Sequence, residues 1–65
     1  MNMDIIEGKW KELRGKMQTK WGDLTDSDLD MINGRRTELE GILQKRYGYT
    51  KERANREVDE FLRDF

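Results

Sequence analysis

The sequence predicts an all-α protein of four helices, folded as two packed helical hairpins with approximate internal two-fold symmetry. Three observations predict it. Apolar residues recur at helical spacing, proline is absent so that no position forbids helix, and one stretch of the chain is a near-copy of another. Residues 8–22, GKWKELRGKMQTKWG, align with residues 34–48, GRRTELEGILQKRYG. Six of the fifteen positions are identical: three glycines, Glu12 with Glu38, Leu13 with Leu39 and Gln18 with Gln44. Lys9 with Arg35, Met17 with Leu43, Lys20 with Arg46 and Trp21 with Tyr47 keep their chemistry. The sequel of each copy matches too, as Leu24-Thr25 follows Gly22 and Tyr49-Thr50 follows Gly48. The repeat divides a single domain, residues 1–65, into halves of about 8–33 and 34–62.

The first helix is expected over about 5–21, opened by the capping pattern Asp4…Glu7. Ile6, Trp10, Leu13, Met17 and Trp21 fall within about 80° of one another on a helical wheel and form its inner face. Gly22 is expected in the left-handed position that stops a helix. Thr25 then caps the second helix, about 26–33, by accepting from its first backbone N–H groups. Leu24 before the cap and Leu29 four residues past it have the spacing of a hydrophobic staple. Asp26, Asp28 and Asp30 suit the positive end of the helix dipole, and Leu29 and Ile32 face inward. Asn33-Gly34 stops it. The third helix, about 35–47, buries Leu39, Ile42, Leu43 and Tyr47, and Gly48 ends it. The fourth, about 51–64, is capped by Thr50, stapled by Tyr49 and Ala54, and buries Val58, Phe61 and Leu62.

Short links make consecutive helices neighbours. Truncating Trp10 or Leu39 to Ala is expected to cost about 2–5 kcal/mol, enough to unfold so small a domain. Glu7–Lys11, Glu12–Lys16, Glu52–Arg56 and Asp59–Arg63 are acid-before-base pairs at i,i+4 on solvated faces, each contributing about 0.2–0.5 kcal/mol. Gly8, Gly15 and Gly41 sit in predicted helices, where glycine costs about 1 kcal/mol relative to Ala. Two readings stay open for them: close approach of another backbone, within the fold or across a dimer, or a helix kept weak.

Composition bounds the chemistry. The chain holds 13 Lys and Arg against 14 Asp and Glu, so its net charge is −1, and its mean hydropathy of −1.10 is very low for a folded domain. Such polarity borders on disorder, and the near-zero net charge with helical periodicity argues for folding. Charge is segregated: residues 1–22 carry five bases and three acids, residues 23–30 four Asp and no base, residues 31–65 eight bases and seven acids. With no Cys and no His, neither a disulfide nor an ordinary zinc site is available. The lack of Cys fits a reducing, cytoplasmic setting. No apolar run approaches the roughly 18 residues of a membrane span, and the N-terminus lacks the pattern of a secretory signal.

Candidate sites fail on their residue types. Asp26-x-Asp28-x-Asp30 has the spacing of a calcium loop's start, but Met31 stands where that loop needs Gly, and Thr37 where it needs Glu. Without His or Cys, and with Ser27 as the sole serine, no activated nucleophile is assembled. All fourteen carboxylates sit in patterns that predict exposure, so none is expected to have the shifted pKa that acid–base catalysis needs. The glycines form neither a phosphate loop nor a dinucleotide fingerprint. No catalytic residue, cofactor or metal is expected. Nucleic acid is the sharper rival: Lys9, Lys16 and Lys20 edge the first helix, while Arg35, Arg36, Lys45 and Arg46 bracket the third, a stripe that could contact phosphates. The slight net acidity argues against it, and Lys45 and Arg46 suit a helix C-terminus without a ligand. Weak self-association or a protein-interaction module would need an exposed apolar patch, for which Met3, Ile5, Met31 and Phe65 are the residues left over.

The segments GKWKELRGK, KWGDLTD and INGRRTELEGILQKRYGYTKERANREV resemble the CsbD-like family of small bacterial stress proteins. The resemblance covers the chain from about Asp4 to Phe61, and its most specific part is G-R-R-x-x-L-x-G-x-x-Q-x-R-Y-G-Y. It implies a bacterial cytoplasmic protein made under general stress, with a fold similar to the SAM-domain-like group. It carries over no catalytic residue and no partner, and it leaves the molecular role unassigned. The leading expectation is therefore a non-enzymatic stress-response protein acting by protection or binding.

Overall fold

The computed structural model describes residues 8–64. Four α-helices and no strands are found among them: α1, Trp10–Lys20; α2, Asp26–Ile32; α3, Arg36–Tyr47; and α4, Lys51–Arg63. The elements measure 28 × 23 × 17 Å together, with a Cα radius of gyration of 10.5 Å, the value expected of a folded chain this long rather than a rod.

The helix boundaries follow from local chemistry. Thr25 accepts from the Asp28 N–H at 3.0 Å, and the Asp28 carboxylate accepts from the Thr25 N–H at 3.1 Å, closing a capping box at the start of α2. Thr50 caps α4 by accepting from the Arg53 N–H. α2 ends on Asn33 in the left-handed region, followed by Gly34 at φ 82°, and α3 ends on left-handed Gly48. Two expectations are corrected. Gly22 is not left-handed, because α1 already ends at Trp21, and the Leu24 N–H turns back to the Trp21 carbonyl at 3.0 Å. The first helix is also not continuous through Lys9, whose ψ of 23° breaks the helical path before α1 and whose side chain makes no cap. The Asp4…Glu7 pattern and Ile6 lie outside the described residues.

One core joins all four helices. Leu13, Met17, Trp21, Leu24, Leu29, Ile32, Leu39, Ile42, Leu43, Ala54, Val58, Phe61 and Leu62 are buried. Trp10, Tyr47 and Tyr49 pack against this cluster but are only half-buried, a correction to their place in the predicted core. The reason is position. Trp10 opens α1 at the edge of the cluster, and Tyr47 and Tyr49 lie beside the α3–α4 turn. α3 is the central helix: it packs closely against α2 and against α4, whereas α1 approaches the others less closely, through its side chains. Trp21, at the end of α1, meets Phe61 of α4 with ring centroids 5.1 Å apart.

Candidate functional site

Two arginines on α3, Arg36 and Arg46, carry ion pairs to the neighbouring helices. Arg46 reaches Asp28 with both ends of its guanidinium, Nε to Oδ2 at 2.9 Å and Nη2 to Oδ1 at 3.1 Å. Asp28 is 7% exposed, the sole buried charged residue among those described. It thus accepts from Arg46 and from the Thr25 N–H together. The Arg46 hydrogen bond and the Thr25 N–H hold its carboxyl below the usual carboxylate range, against the opposing effect of burial. One side chain therefore caps α2 and ties it to the C-terminal end of α3.

Arg36 makes a second tie at the opposite end of α3. Its Nε donates to Glu40 at 2.6 Å, and its Nη2 donates to Asp59 at 2.7 Å and to the Asn55 carbonyl at 3.1 Å. Burial works against its charge, but the Glu40 and Asp59 hydrogen bonds prevail and raise its pKa. Asn55 also donates to Glu40, so the pair binds α3 to the middle of α4. Asp59, expected to pair with Arg63 along its own helix, instead receives Arg36 from a neighbouring one. A third cluster covers the α3–α4 turn. Tyr47 and Tyr49 stack at 5.5 Å, Arg53 lies 4.3 Å over the Tyr49 ring, and the Tyr47 hydroxyl accepts from the Asp23 N–H at 3.1 Å.

The seven basic residues singled out as possible phosphate contacts do not form one stripe of equivalent cations. Arg36 is bound to Glu40 and Asp59, and Arg46 to Asp28. Arg35 turns back to cap α2, donating to the Met31 carbonyl at 2.8 Å. Lys20 lies 5.5 Å over the Trp21 ring. Lys9, Lys16 and Lys45 are exposed. The expectation that every carboxylate is exposed fails at Asp28. The missed signal was weak, since Thr25-x-x-Asp28 is a capping pattern with Asp where Glu or Gln is usual.

Two open grooves mark the surface. One, of about 420 Å³, runs along α1 and α4 and is lined by Gly15, Lys16, Thr19, Lys20, Phe61 and Asp64; the other, of about 390 Å³, lies beside Lys51, Glu52 and Asn55. Neither groove contains Asp28, the carboxylate that Arg46 and the Thr25 N–H hold below its usual range. Among the described residues no three acidic or other metal-ligating side chains converge on one point, and no helix is long and apolar enough to cross a membrane. Met31 is the exposed large hydrophobic residue among them, so an apolar patch is not built there; Met3, Ile5 and Phe65 lie outside the described residues.

The CsbD-like family pattern matches residues 4–56, which takes in α1, α2, α3 and the capped start of α4. The chain belongs to the CsbD-like family. Its similarity to individual CsbD-like relatives runs further along the chain. It is 56% identical over 61 residues to UPF0337 protein PA4738 of Pseudomonas aeruginosa, covering 94% of each chain. It is 52% identical to UPF0337 protein pc0632 of Protochlamydia amoebophila, over 94% of this chain and 92% of the relative. It is 48% identical to UPF0337 protein YjbJ of Escherichia coli, over 94% of this chain and 88% of the relative. No solved structure matches the chain. Within the CsbD-like match lie Thr25, Asp28, Arg36 and Arg46, while Asp59, Phe61 and Leu62 lie beyond it.

Proposed function

We propose that this CsbD-like protein is a non-enzymatic, cytoplasmic stress-response protein that acts by weak, multivalent shielding of other macromolecules. We further propose that residues 1–65 form one domain, with two helical hairpins in approximate two-fold relation and a likeness to the SAM-domain group; the internal repeat supports that arrangement. The observation that carries the functional reading is the division of the molecule. Thirteen apolar side chains are buried, and charged residues dominate the surface of the described residues with bases and acids in nearly equal number, Met31 being the exposed large hydrophobic residue and Trp10, Tyr47 and Tyr49 half-buried. A mixed-charge surface of near-zero net charge makes many brief, screened contacts and no strong one.

Phosphate binding is the competing reading. The geometry weakens it, because two of the seven proposed cations, Arg36 and Arg46, are already paired with carboxylates. The test is survival of a reporter enzyme through drying or heating, with and without the protein. Protection beyond that given by an equal mass of an unrelated small protein supports shielding; equal protection rejects it. A gel shift that appears at low salt and vanishes at high salt would move the assignment to nucleic acid.

A further inference from the structure

The link between α2 and α3 places a reactive pair at the surface. α2 stops on Asn33, whose φ of 42° and ψ of 45° are left-handed, and Gly34 follows at φ 82°. Asn33 is exposed. An asparagine followed by glycine is well suited to attack on its side-chain amide by the next backbone nitrogen, because glycine has no Cβ to hinder the approach and its backbone turns freely. The other asparagines lack that neighbour. Asn55 lies inside α4, is followed by Arg56 and donates to Glu40, and Asn2 precedes Met3 outside the described residues. The folded turn restrains the attack. At a ψ of 45° the Gly34 nitrogen stands on the side of the Cα–C bond opposite the Asn33 side chain, so the two meet only after ψ rotates. Three hydrogen bonds hold the turn: the Asn33 N–H to the Leu29 carbonyl at 3.0 Å, the Arg35 N–H to the Ile32 carbonyl at 2.7 Å, and the Arg35 guanidinium to the Met31 carbonyl at 2.8 Å. A surface link of this kind opens locally more often than the whole fold unfolds.

We propose that Asn33 is a self-modification site: on local opening of the α2–α3 turn, the Gly34 nitrogen attacks the Asn33 side chain, and a succinimide forms that water converts to isoaspartate and aspartate. The bond from the Gly34 nitrogen to the Asn33 Cγ forms and the Cγ–Nδ2 bond breaks. The side-chain nitrogen leaves as ammonia, carrying the proton given up by the Gly34 N–H. One water then opens the ring. Its attack at Cγ gives aspartate; its attack at the main-chain carbonyl carbon gives isoaspartate, whose backbone runs on through the former side chain. Isoaspartate lengthens the link that the Arg35–Ile32 hydrogen bond spans, and either product sets a new carboxylate at the negative end of α2. The product is a less stable form of the domain that accumulates with time and heat. The site is a property of this chain alone and stands whether or not the protein shields other molecules.

Ageing of the intact protein at pH 8, folded in buffer and unfolded in guanidinium chloride, tests it. The readouts are peptide mass and methylation by an isoaspartate-specific carboxyl methyltransferase with labelled S-adenosylmethionine. In the folded sample the Asn33 peptide is expected to gain about one dalton and to accept the methyl group, while the Asn55 peptide stays unchanged. Unfolding is expected to speed the gain at Asn33 about tenfold or more, because the turn no longer holds ψ. Asn33→Gln, which would have to close a larger ring, is expected to abolish the gain. No gain at Asn33 in the folded sample, an equal gain at Asn55, or the same rate folded and unfolded would each overturn the proposal. A purified modified form with the parent's urea midpoint would overturn the destabilised product.

Discussion

Asp28 is the residue on which two elements depend. Its carboxylate closes the α2 capping box and anchors Arg46, so removing its charge loosens a cap and a long-range tie together. Its pKa in the folded protein lies below that in the unfolded chain. For a carboxyl shifted in this direction the stabilisation is fully present above the unfolded pKa and is lost as pH falls through the folded one. Asp28→Asn keeps an oxygen for the Thr25 N–H but has no charge for Arg46. It is expected to be less stable than the parent at pH 7, with the difference narrowing as pH falls through the lowered pKa of Asp28. A series of urea titrations from pH 7 downward would show it; a difference that does not narrow at all as the solution is acidified would assign the effect to packing instead. Thr25→Ala removes the reciprocal bond and is expected to cost about 1 kcal/mol at each pH of the series. The sequence placed Asp28 at the start of a helix but not in the interior. Asp26, Asp28 and Asp30 look alike in one dimension, and the partner that distinguishes Asp28 lies 18 residues away.

At the scale of the element, the caps and the glycines were legible to different degrees. Thr25 and Thr50 could be read because an N-cap is a local event, decided within three residues. Left-handed Gly48 could be read for the same reason, yet its repeat partner Gly22 is not left-handed, since Trp21 ends α1 one residue earlier and the turn then closes through Leu24. For Gly15 and Gly41 the sequence offered close approach or weakness. The open space around both removes close approach by any of the described residues, and the energetic reading gains by it. Alanine at either position has room and loses no contact, so Gly15→Ala and Gly41→Ala are each expected to stabilise the protein by about 1 kcal/mol, measured as a shift in urea midpoint at unchanged slope. The two effects should add if the helices do not communicate through these faces. Loss of stability in either variant would mean that the glycine serves a contact beyond those of the described residues.

At the scale of the whole molecule, burial decides which truncations the fold survives. Periodicity ranked Trp10 with Leu39, because both fall on an apolar face, but a helical wheel has no ends and cannot tell the first residue of a helix from its middle. The structure separates them: Leu39 is fully buried on the helix that touches both neighbours, whereas Trp10 is half-buried at the rim. Leu39→Ala leaves a cavity in the core beside α3 and is expected to cost about 2–5 kcal/mol. A chain of this length has about 3–10 kcal/mol of stability in total, so this variant should lose most of its cooperative transition at 25 °C. Trp10→Ala removes packing from one side of the core and opens no internal void, so about 1–2 kcal/mol is expected, with a clear transition retained. Far-ultraviolet circular dichroism during urea titration distinguishes the two outcomes. Equal losses would mean that α1 contributes as much as α3 to the common core, and the central place given to α3 would then have to be surrendered.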